Sequence, residues 1–266
     1  MQTGIYYTSF GFPLRNRERF NLIASSGFDA VSFWWGKTYI EIDGPKEELP
    51  DLARKAGLFV ENVHSDFEGA GLLWTDEAGG EEILKRYMKD VEDCHRFNIP
   101  AMVMHLTQGN NPPPPGEQGI SRIKRLVDLA EKLNVNIALE NLRKPEYLGY
   151  VYERINSDKL KFCYDSGHEN CFSKKGDLLD TYGDKLIALH LHDNDGISDE
   201  HRLPGEGTID WNDLARKIKK LNYRGQISLE VINSSSGKYA KTSMEQFLAK
   251  AIQKAKWMTN LISEAG

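Results

Sequence analysis

The segment HLHDND (190–195) places two histidines and two aspartates in six consecutive positions, directly after the apolar run KLIAL (185–189). If that run is a buried strand, the alternation of side chains puts His190 and His192 on the same face. Two imidazoles on one face at a strand end can pack in the core, lie on the surface or form part of a metal site. The residues at the other strand ends distinguish these alternatives.

Including these two histidines, ionisable side chains stand at or near the ends of six consecutive predicted strands, from the third to the eighth. In chain order they are His64, His105, Glu140, Asp165 with His168, His190 with His192, and Glu230. A single histidine at a strand end is usually a hydrogen-bonded structural residue. A series on six strands, always at the same end, predicts one shared site at the carboxyl mouth of the sheet.

Two of these carboxylates follow strongly apolar segments. Glu140 follows NIAL and Glu230 follows ISL, and a carboxylate in such a context is costly unless it is paired or binds a cation. The predicted strands contain no arginine, and alternation directs Lys161 to the opposite face, so we expect a cation from solution. With Asp165 and His190, the two glutamates form an oxygen-rich set that suits Mn²⁺, Mg²⁺ or Co²⁺ better than structural zinc.

These residues lie at the ends of apolar runs that alternate with polar loops and helical periodicity. The predicted strands are 4–9, 30–35, 58–64, 101–106, 135–141, 160–165, 186–192 and 227–232, and the clearest helices are 81–97, 120–133, 211–221 and 243–262. Eight such units without a linker predict an α/β protein with a single (β/α)8 TIM barrel domain over residues 1–266. A doubly wound sheet is the alternative, but TSFGFPLRN (8–16) is not a glycine-rich phosphate turn.

Composition restricts the classes of function. The 266 residues carry a formal net charge of -5, which disfavours a nucleic-acid partner because phosphate contacts need clustered basic side chains. No apolar stretch is long enough to span a membrane, and the N-terminal residues do not read as an export signal. Three cysteines without paired spacing indicate a reduced, cytoplasmic protein. The sequence is compatible with a homo-oligomer.

The motifs IALEN, YDSGH, HLHDND, PGEGTIDW and SLEV follow one another in that order. In this combination the chain resembles the xylose-isomerase-like superfamily of TIM barrels over essentially its whole length. That superfamily holds sugar and sugar phosphate isomerases, ketose 3-epimerases, inosose dehydratases and the family 2 AP endonucleases. The resemblance implies a metal-dependent enzyme in every branch.

The ketose epimerase branch implies proton transfer beside a sugar carbonyl, through an enediolate, with Glu140 and Glu230 as acid and base. It implies that one divalent ion, Mn²⁺ first and Mg²⁺, Co²⁺ or Zn²⁺ as substitutes, is held by Glu140, Asp165, His190 and Glu230. His168 and Glu146 match substrate-binding residues of that branch. Gly196 stands where those enzymes carry a substrate-binding arginine, and Arg202 is the candidate replacement.

The endonuclease IV branch is the alternative, and it uses nine ligands to hold three zinc ions for cleavage of abasic DNA. All nine have counterparts here: His64, His105, Glu140, Asp165, His168, His190, Asp199, His201 and Glu230. We favour sugar chemistry, because proton transfer at a carbonyl needs one cation whereas phosphodiester cleavage benefits from several. A related sugar lyase or dehydratase also stays open.

On the sugar interpretation, four of the nine residues, in addition to His168, bind substrate rather than further metal, namely His64, His105, Asp199 and His201. Trp34 is a candidate to stack on the sugar ring, and His192 is expected to orient a neighbour through a hydrogen bond. Candidate phosphate contacts are Lys37, Arg143, Lys144 and Lys238.

Overall fold

The computed structural model describes residues 1–7, 14–36, 44–173, 177–233, 238–239 and 241–265. Eight parallel strands lie within them: β1 (Thr3–Tyr6), β2 (Ala30–Trp34), β3 (Phe59–His64), β4 (Ala101–Met104), β5 (Asn136–Glu140), β6 (Leu160–Asp165), β7 (Leu186–His190) and β8 (Ile227–Leu229). The hydrogen-bonded order is β7-β6-β5-β4-β3-β2-β1-β8. All eight predicted strands are confirmed, although residues 8 and 9 of the first prediction lie outside the described residues.

The ends of this sheet meet, so the sheet forms a nearly closed barrel. The Leu191 amide donates to the Ser228 carbonyl at 3.0 Å, and the Leu191 carbonyl accepts from the Glu230 amide at 3.1 Å. These bonds join the segment after β7 to β8. The fold is therefore the predicted (β/α)8 barrel, in which the carboxyl ends of all strands share one mouth.

Helices connect the strands and cover the barrel. Within the described residues they are α1 (Asn16–Ser25), α2 (Leu49–Lys55), α3 (Ala78–Arg96), α4 (Glu117–Leu133), α5 (Glu146–Tyr152), α6 (Ser166–Phe172), α7 (Leu178–Tyr182), α8 (Trp211–Lys220) and α9 (Met244–Glu264). The described residues also include three short 3₁₀ helices, Lys46–Glu48, Ala70–Trp74 and Gly183–Lys185. None of the described helices is both long and apolar enough to cross a membrane.

Local sequence signals set several helix boundaries. Asn134 adopts a left-handed φ of 56° directly after α4, and Gly57 adopts a φ of 87° just after α2, so both stop their helices. Ser243 and Gln246 form a reciprocal capping box at the start of α9. The four helices with the clearest periodicity begin and end within three residues of their predicted limits.

The hydrophobic core has two parts. The larger part packs the outer faces of the strands against the helices. The smaller lies inside the barrel and contains Val103, Ala138, Cys163 and Ala188, one from each of β4 to β7. Since side chains on one face of a strand recur every second residue, the next inward-facing positions are 105, 140, 165 and 190. The alternation thus places the ionisable residues directly above a small apolar layer.

Candidate functional site

Four predicted ligands converge at the carboxyl mouth of the barrel. Glu140, Asp165 and His190 end β5, β6 and β7, and Glu230 directly follows β8. One ligand-capable atom from each lies within 4.8 Å of the others. The structure therefore brings together the whole oxygen-rich set that the sequence predicts.

Glu140 is the most connected side chain of the site. Its Oε2 lies 3.1 Å from His64 Nε2 and 3.2 Å from His105 Nε2, while its Oε1 lies 3.0 Å from His168 Nδ1. Burial alone would raise the pKa of this carboxyl, but the surrounding histidines, His105 and His190 foremost, hold it well below its usual range. Glu140 is thus a carboxylate, stabilised from several directions.

His190 lies between the two glutamates. Its Nδ1 is 3.0 Å from Glu230 Oε2 and 3.4 Å from Glu140 Oε2. Burial lowers the pKa of His190, yet neighbouring negative charge, including both glutamates, raises it well above its usual value. Burial raises the pKa of Glu230, and the charge of His190 reverses this and depresses it. The arrangement concentrates opposite charges around one point.

The hydrogen bonding of the buried His190 imidazole is incomplete, which fits a bound cation. His190 is only 2% exposed, its Nδ1 has only the two ionic contacts with the glutamates, and neither ring nitrogen forms a well-aligned hydrogen bond within the described residues. Buried polar atoms without partners are rare and usually indicate a bound species. A divalent ion held by the imidazole and three carboxylates would satisfy this nitrogen and the carboxylate oxygens together.

A second imidazole–carboxylate group flanks the first. His168 Nε2 lies 3.2 Å from Asp199 Oδ2, and the ring of His201 stacks on His192 with centroids 4.0 Å apart. Burial lowers the pKa of His201, but Asp199 outweighs it and raises the pKa to about 9. His192 Nε2 lies 3.0 Å from Asp165 Oδ1, a contact of the orienting kind expected for this histidine.

Two further polar side chains hold the backbone of the site, and sequence analysis missed both roles. Asn141 donates to the Asp165 carbonyl and accepts from the Asp165 amide, both at 2.8 Å. Asp193 accepts from the Trp211 indole at 2.8 Å and from the Gly205 amide at 2.9 Å, which fixes the PGEGTIDW loop. The sequence signal that could have identified these two roles is that Asn141 lies in IALEN and Asp193 lies in HLHDND, beside the predicted ligands.

A cavity of about 300 Å³ opens above the ligands. The predicted residues that line it are His64, His105, Glu140, Arg143, His168, Asp199, His201 and Glu230. Sequence analysis did not identify the other walls, which include Phe67, Gln108, Leu142 and Phe172. Phe67 lies parallel to the His105 imidazole, with centroids 4.4 Å apart. The cavity therefore combines a polar floor with an aromatic wall.

Three predicted substrate contacts lie away from this cavity, as far as the described residues define it. Glu146 is exposed in the first turn of α5. Arg202 is paired with Glu200 at 2.6 Å, so its charge is already neutralised. Trp34 is buried against the His64 ring, with centroids 5.5 Å apart, and so supports a candidate binding residue from behind.

The fold and the site together define the class of protein. The chain belongs to the xylose isomerase-like TIM barrel family, whose model matches residues 20–258. It is 34% identical over 255 residues to the uncharacterized protein y4fM of Sinorhizobium fredii, with 80% of each chain covered. It is 26% identical over 247 residues to a putative hydroxypyruvate isomerase of Streptomyces coelicolor, covering 80% of this chain and 84% of the relative.

Solved structures agree with this membership at the level of the fold. A D-tagatose 3-epimerase-like protein superimposes with a TM-score of 0.77 at 21% sequence identity, and the match covers 99% of each chain. At this identity the similarity shows the barrel alone, so the chemistry of the chain is inferred from its own residues.

Proposed function

We propose that the chain is a divalent-metal-dependent sugar isomerase or epimerase that moves a proton at the carbon beside a carbonyl. The observation that carries the proposal is the pair Glu140 and Glu230, which approach His190 from two strands at 3.4 and 3.0 Å on the floor of the cavity. Two carboxylates on either side of one substrate can act as base and acid in turn. The isomerase name of the Streptomyces coelicolor relative supports the same class.

One ion is expected per chain, held by Glu140, Asp165, His190 and Glu230. Three carboxylates with one imidazole favour Mn²⁺, with Mg²⁺, Co²⁺ or Zn²⁺ as substitutes. When bound, the ion supplies positive charge that offsets negative charge developing on the substrate oxygens.

The side chains of the two glutamates differ in solvent exposure, and this difference suggests different roles for them. The Glu140 side chain is 1% exposed and contacts several histidines, whereas the Glu230 side chain is 12% exposed. Glu230 is therefore the freer of the two to exchange a proton with a bound sugar. Glu140, held from several directions, combines proton transfer with fixing the geometry of the ligand set.

A sugar-sized molecule matches the space above the ligands. About 300 Å³ is at the small end of ligand cavities, which suits a monosaccharide rather than a polymer. Hydroxyl groups would find donors and acceptors on His64, His105, His168, Asp199 and His201. Phe67 offers an apolar surface to the ring carbons.

Proton exchange with solvent tests this function on a panel of sugars rather than on one chosen substrate. Protein loaded with Mn²⁺ is incubated in D₂O with ketopentoses, ketohexoses and inososes, and deuterium beside the carbonyl is followed by NMR. Incorporation that disappears with chelator and in Glu230→Gln supports the proposal. Water loss without rearrangement would indicate a dehydratase, and no exchange with any probe would count against the proposal.

A zinc phosphodiesterase acting on abasic DNA is the second candidate, and one observation favours it. His64 and His105 lie 3.1 and 3.2 Å from Glu140 Oε2, and His168 lies 3.2 Å from Asp199, so imidazole–carboxylate pairs flank the quartet on two sides. Such spacings also suit ligands of additional ions. Incision of an abasic duplex by zinc-loaded protein, with no deuterium exchange into ketoses, would replace the first candidate by this one.

A further inference from the structure

Arg143 gives the cavity a positive group at its rim. It lies three residues beyond Glu140, where the chain leaves β5, and it is the one arginine or lysine among the described residues that line the cavity. Its guanidinium carbon lies 3.9 Å from the centroid of the Phe172 ring, which lines the same cavity. Within the described residues Arg143 forms no ion pair. Its charge is therefore available to a ligand.

The other basic side chains singled out in the sequence do not share this position. Lys238 pairs with Glu206 at 2.8 Å. Lys144 is not among the described lining residues, and Lys37 lies outside the described residues. Arg202 is neutralised by Glu200. The structure thus reduces the candidate phosphate contacts to Arg143.

Stacking prepares the guanidinium for an oxyanion. A guanidinium held against an aromatic ring has less side-chain freedom to lose when its N–H groups form paired hydrogen bonds to phosphate or carboxylate. On the cavity floor the positive groups, which are the histidines and the expected ion, already face Glu140, Asp199 and Glu230, whereas Arg143 at the rim faces no carboxylate among the described residues. An anionic ligand would place its charge at the rim and its neutral end on the floor.

From this polarity we propose that the substrate is an anionic sugar, a sugar phosphate or a sugar acid, whose charged group lies at the end of the molecule remote from the reacting carbonyl and is bound by Arg143. This rests on the proposed isomerase or epimerase function, because that function places the carbonyl beside Glu140 and Glu230. The shared chemistry of the two kinds of substrate is a terminal oxyanion on a short sugar chain.

Three probes with the same ketone test the proposal by calorimetry: fructose, fructose 6-phosphate and fructuronate. The wild type is expected to bind at least one anionic probe about tenfold or more tightly than fructose, as a charge-assisted hydrogen bond gives. The phosphate and carboxylate arms identify which oxyanion is preferred. In Arg143→Met the anionic probe and fructose should bind with about equal affinity. Arg143→Lys should retain part of the preference for the anionic probe, because lysine keeps the charge but lacks the paired donors.

Lys144→Met is the matched control, since it removes a neighbouring positive charge that does not line the cavity. It should keep the wild-type preference. A wild type that binds neither anionic probe more tightly than fructose would overturn the proposal, as would a preference that survives in Arg143→Met or falls equally in Lys144→Met. Deuterium exchange into uncharged ketoses reports on the isomerase function separately, so either proposal can fail alone.

Discussion

Successive layers of the barrel interior have contrasting chemistry although they come from the same strands. The lower layer holds Val103, Ala138, Cys163 and Ala188. Two residues further along each strand, the upper layer holds His105, Glu140, Asp165 and His190. One step of the strand period therefore separates a small apolar layer from a dense set of ionisable side chains.

The lower layer also contains two polar groups, the carboxyl group of Glu61 and the hydroxyl group of Ser228. Ser228 Oγ donates to Glu61 Oε1 at 2.5 Å, and this bond joins β3 to β8 across the barrel interior. Burial raises the pKa of Glu61 to about 7, against the lowering effects of Ser228 and His190. In contrast to the upper-layer carboxylates, whose charge the histidines stabilise, Glu61 is costly to ionise. Function and stability should therefore respond to different layers.

The largest effect is expected for Glu230→Gln in the upper layer. The amide keeps the shape of the side chain but can neither accept a proton nor balance the charge of an ion, so kcat should fall by about 10²–10⁴-fold. Steady-state kinetics on metal-loaded protein measures this fall in kcat. Glu140→Gln should show a similar fall. Glu153→Gln, an exposed surface change, is the control. Full activity of Glu230→Gln with its metal retained would exclude the catalytic role.

Glu61→Gln should change stability rather than chemistry. The pKa of this carboxyl rises from 4.5 to about 7 on folding. Its contribution to the free energy of unfolding is therefore fully present below pH 4.5 and is lost as the pH rises through 7. Between pH 4 and pH 8 the free energy of unfolding of the metal-free wild type should therefore fall by about 2–4 kcal/mol relative to that of Glu61→Gln. Urea unfolding at several pH values checks this. Parallel stability curves for the two proteins would show that Glu61 is not the costly group.

Gly4→Ala tests how tightly the lower layer is packed. A Cβ at this position would lie 2.6 Å from Glu61 Oε1 and 2.8 Å from Ser228 Oγ. Overpacking of this kind costs about 1–3 kcal/mol, measured as the free energy of unfolding. The cost should shrink in a Glu61→Ala background, where one of the close atoms is gone. An unchanged cost in that background would mean that the clash is not with Glu61.

The contrast between layers also explains what the sequence could predict. Strand alternation fixes direction, so Glu140, Asp165 and His190 could be assigned to one mouth from their spacing alone. Outside the strands this alternation does not apply, and the predicted contacts Glu146, at the start of α5, and Arg202 lie away from the cavity. Phe67 and Phe172, also outside the strands, were missed for the same reason.

Glu61 shows a different limit of the alternation rule. Counting back from His64 by twos places Asn62 on the inward face and Glu61 on the outward face. The pairing of β2 with β3 shifts register between Val31 and Ser32, because Val31 pairs with Val60 and Ser32 with Asn62. Glu61 is the extra residue of this bulge, and it reaches Ser228 across the interior. A bulge leaves no reliable trace in the sequence, so this buried carboxyl could not be predicted.

The number of ions in the upper layer tests the central claim most directly. Elemental analysis of wild type and His105→Ala, purified without chelator or added metal, should give one divalent ion per chain in both, because in the proposed function His105 contacts substrate rather than metal. Neither protein should incise an abasic duplex, and His105→Ala should lose affinity for sugar alone. Three zinc ions per wild-type chain, fewer in His105→Ala, and cleavage of the duplex would contradict the sugar isomerase or epimerase assignment.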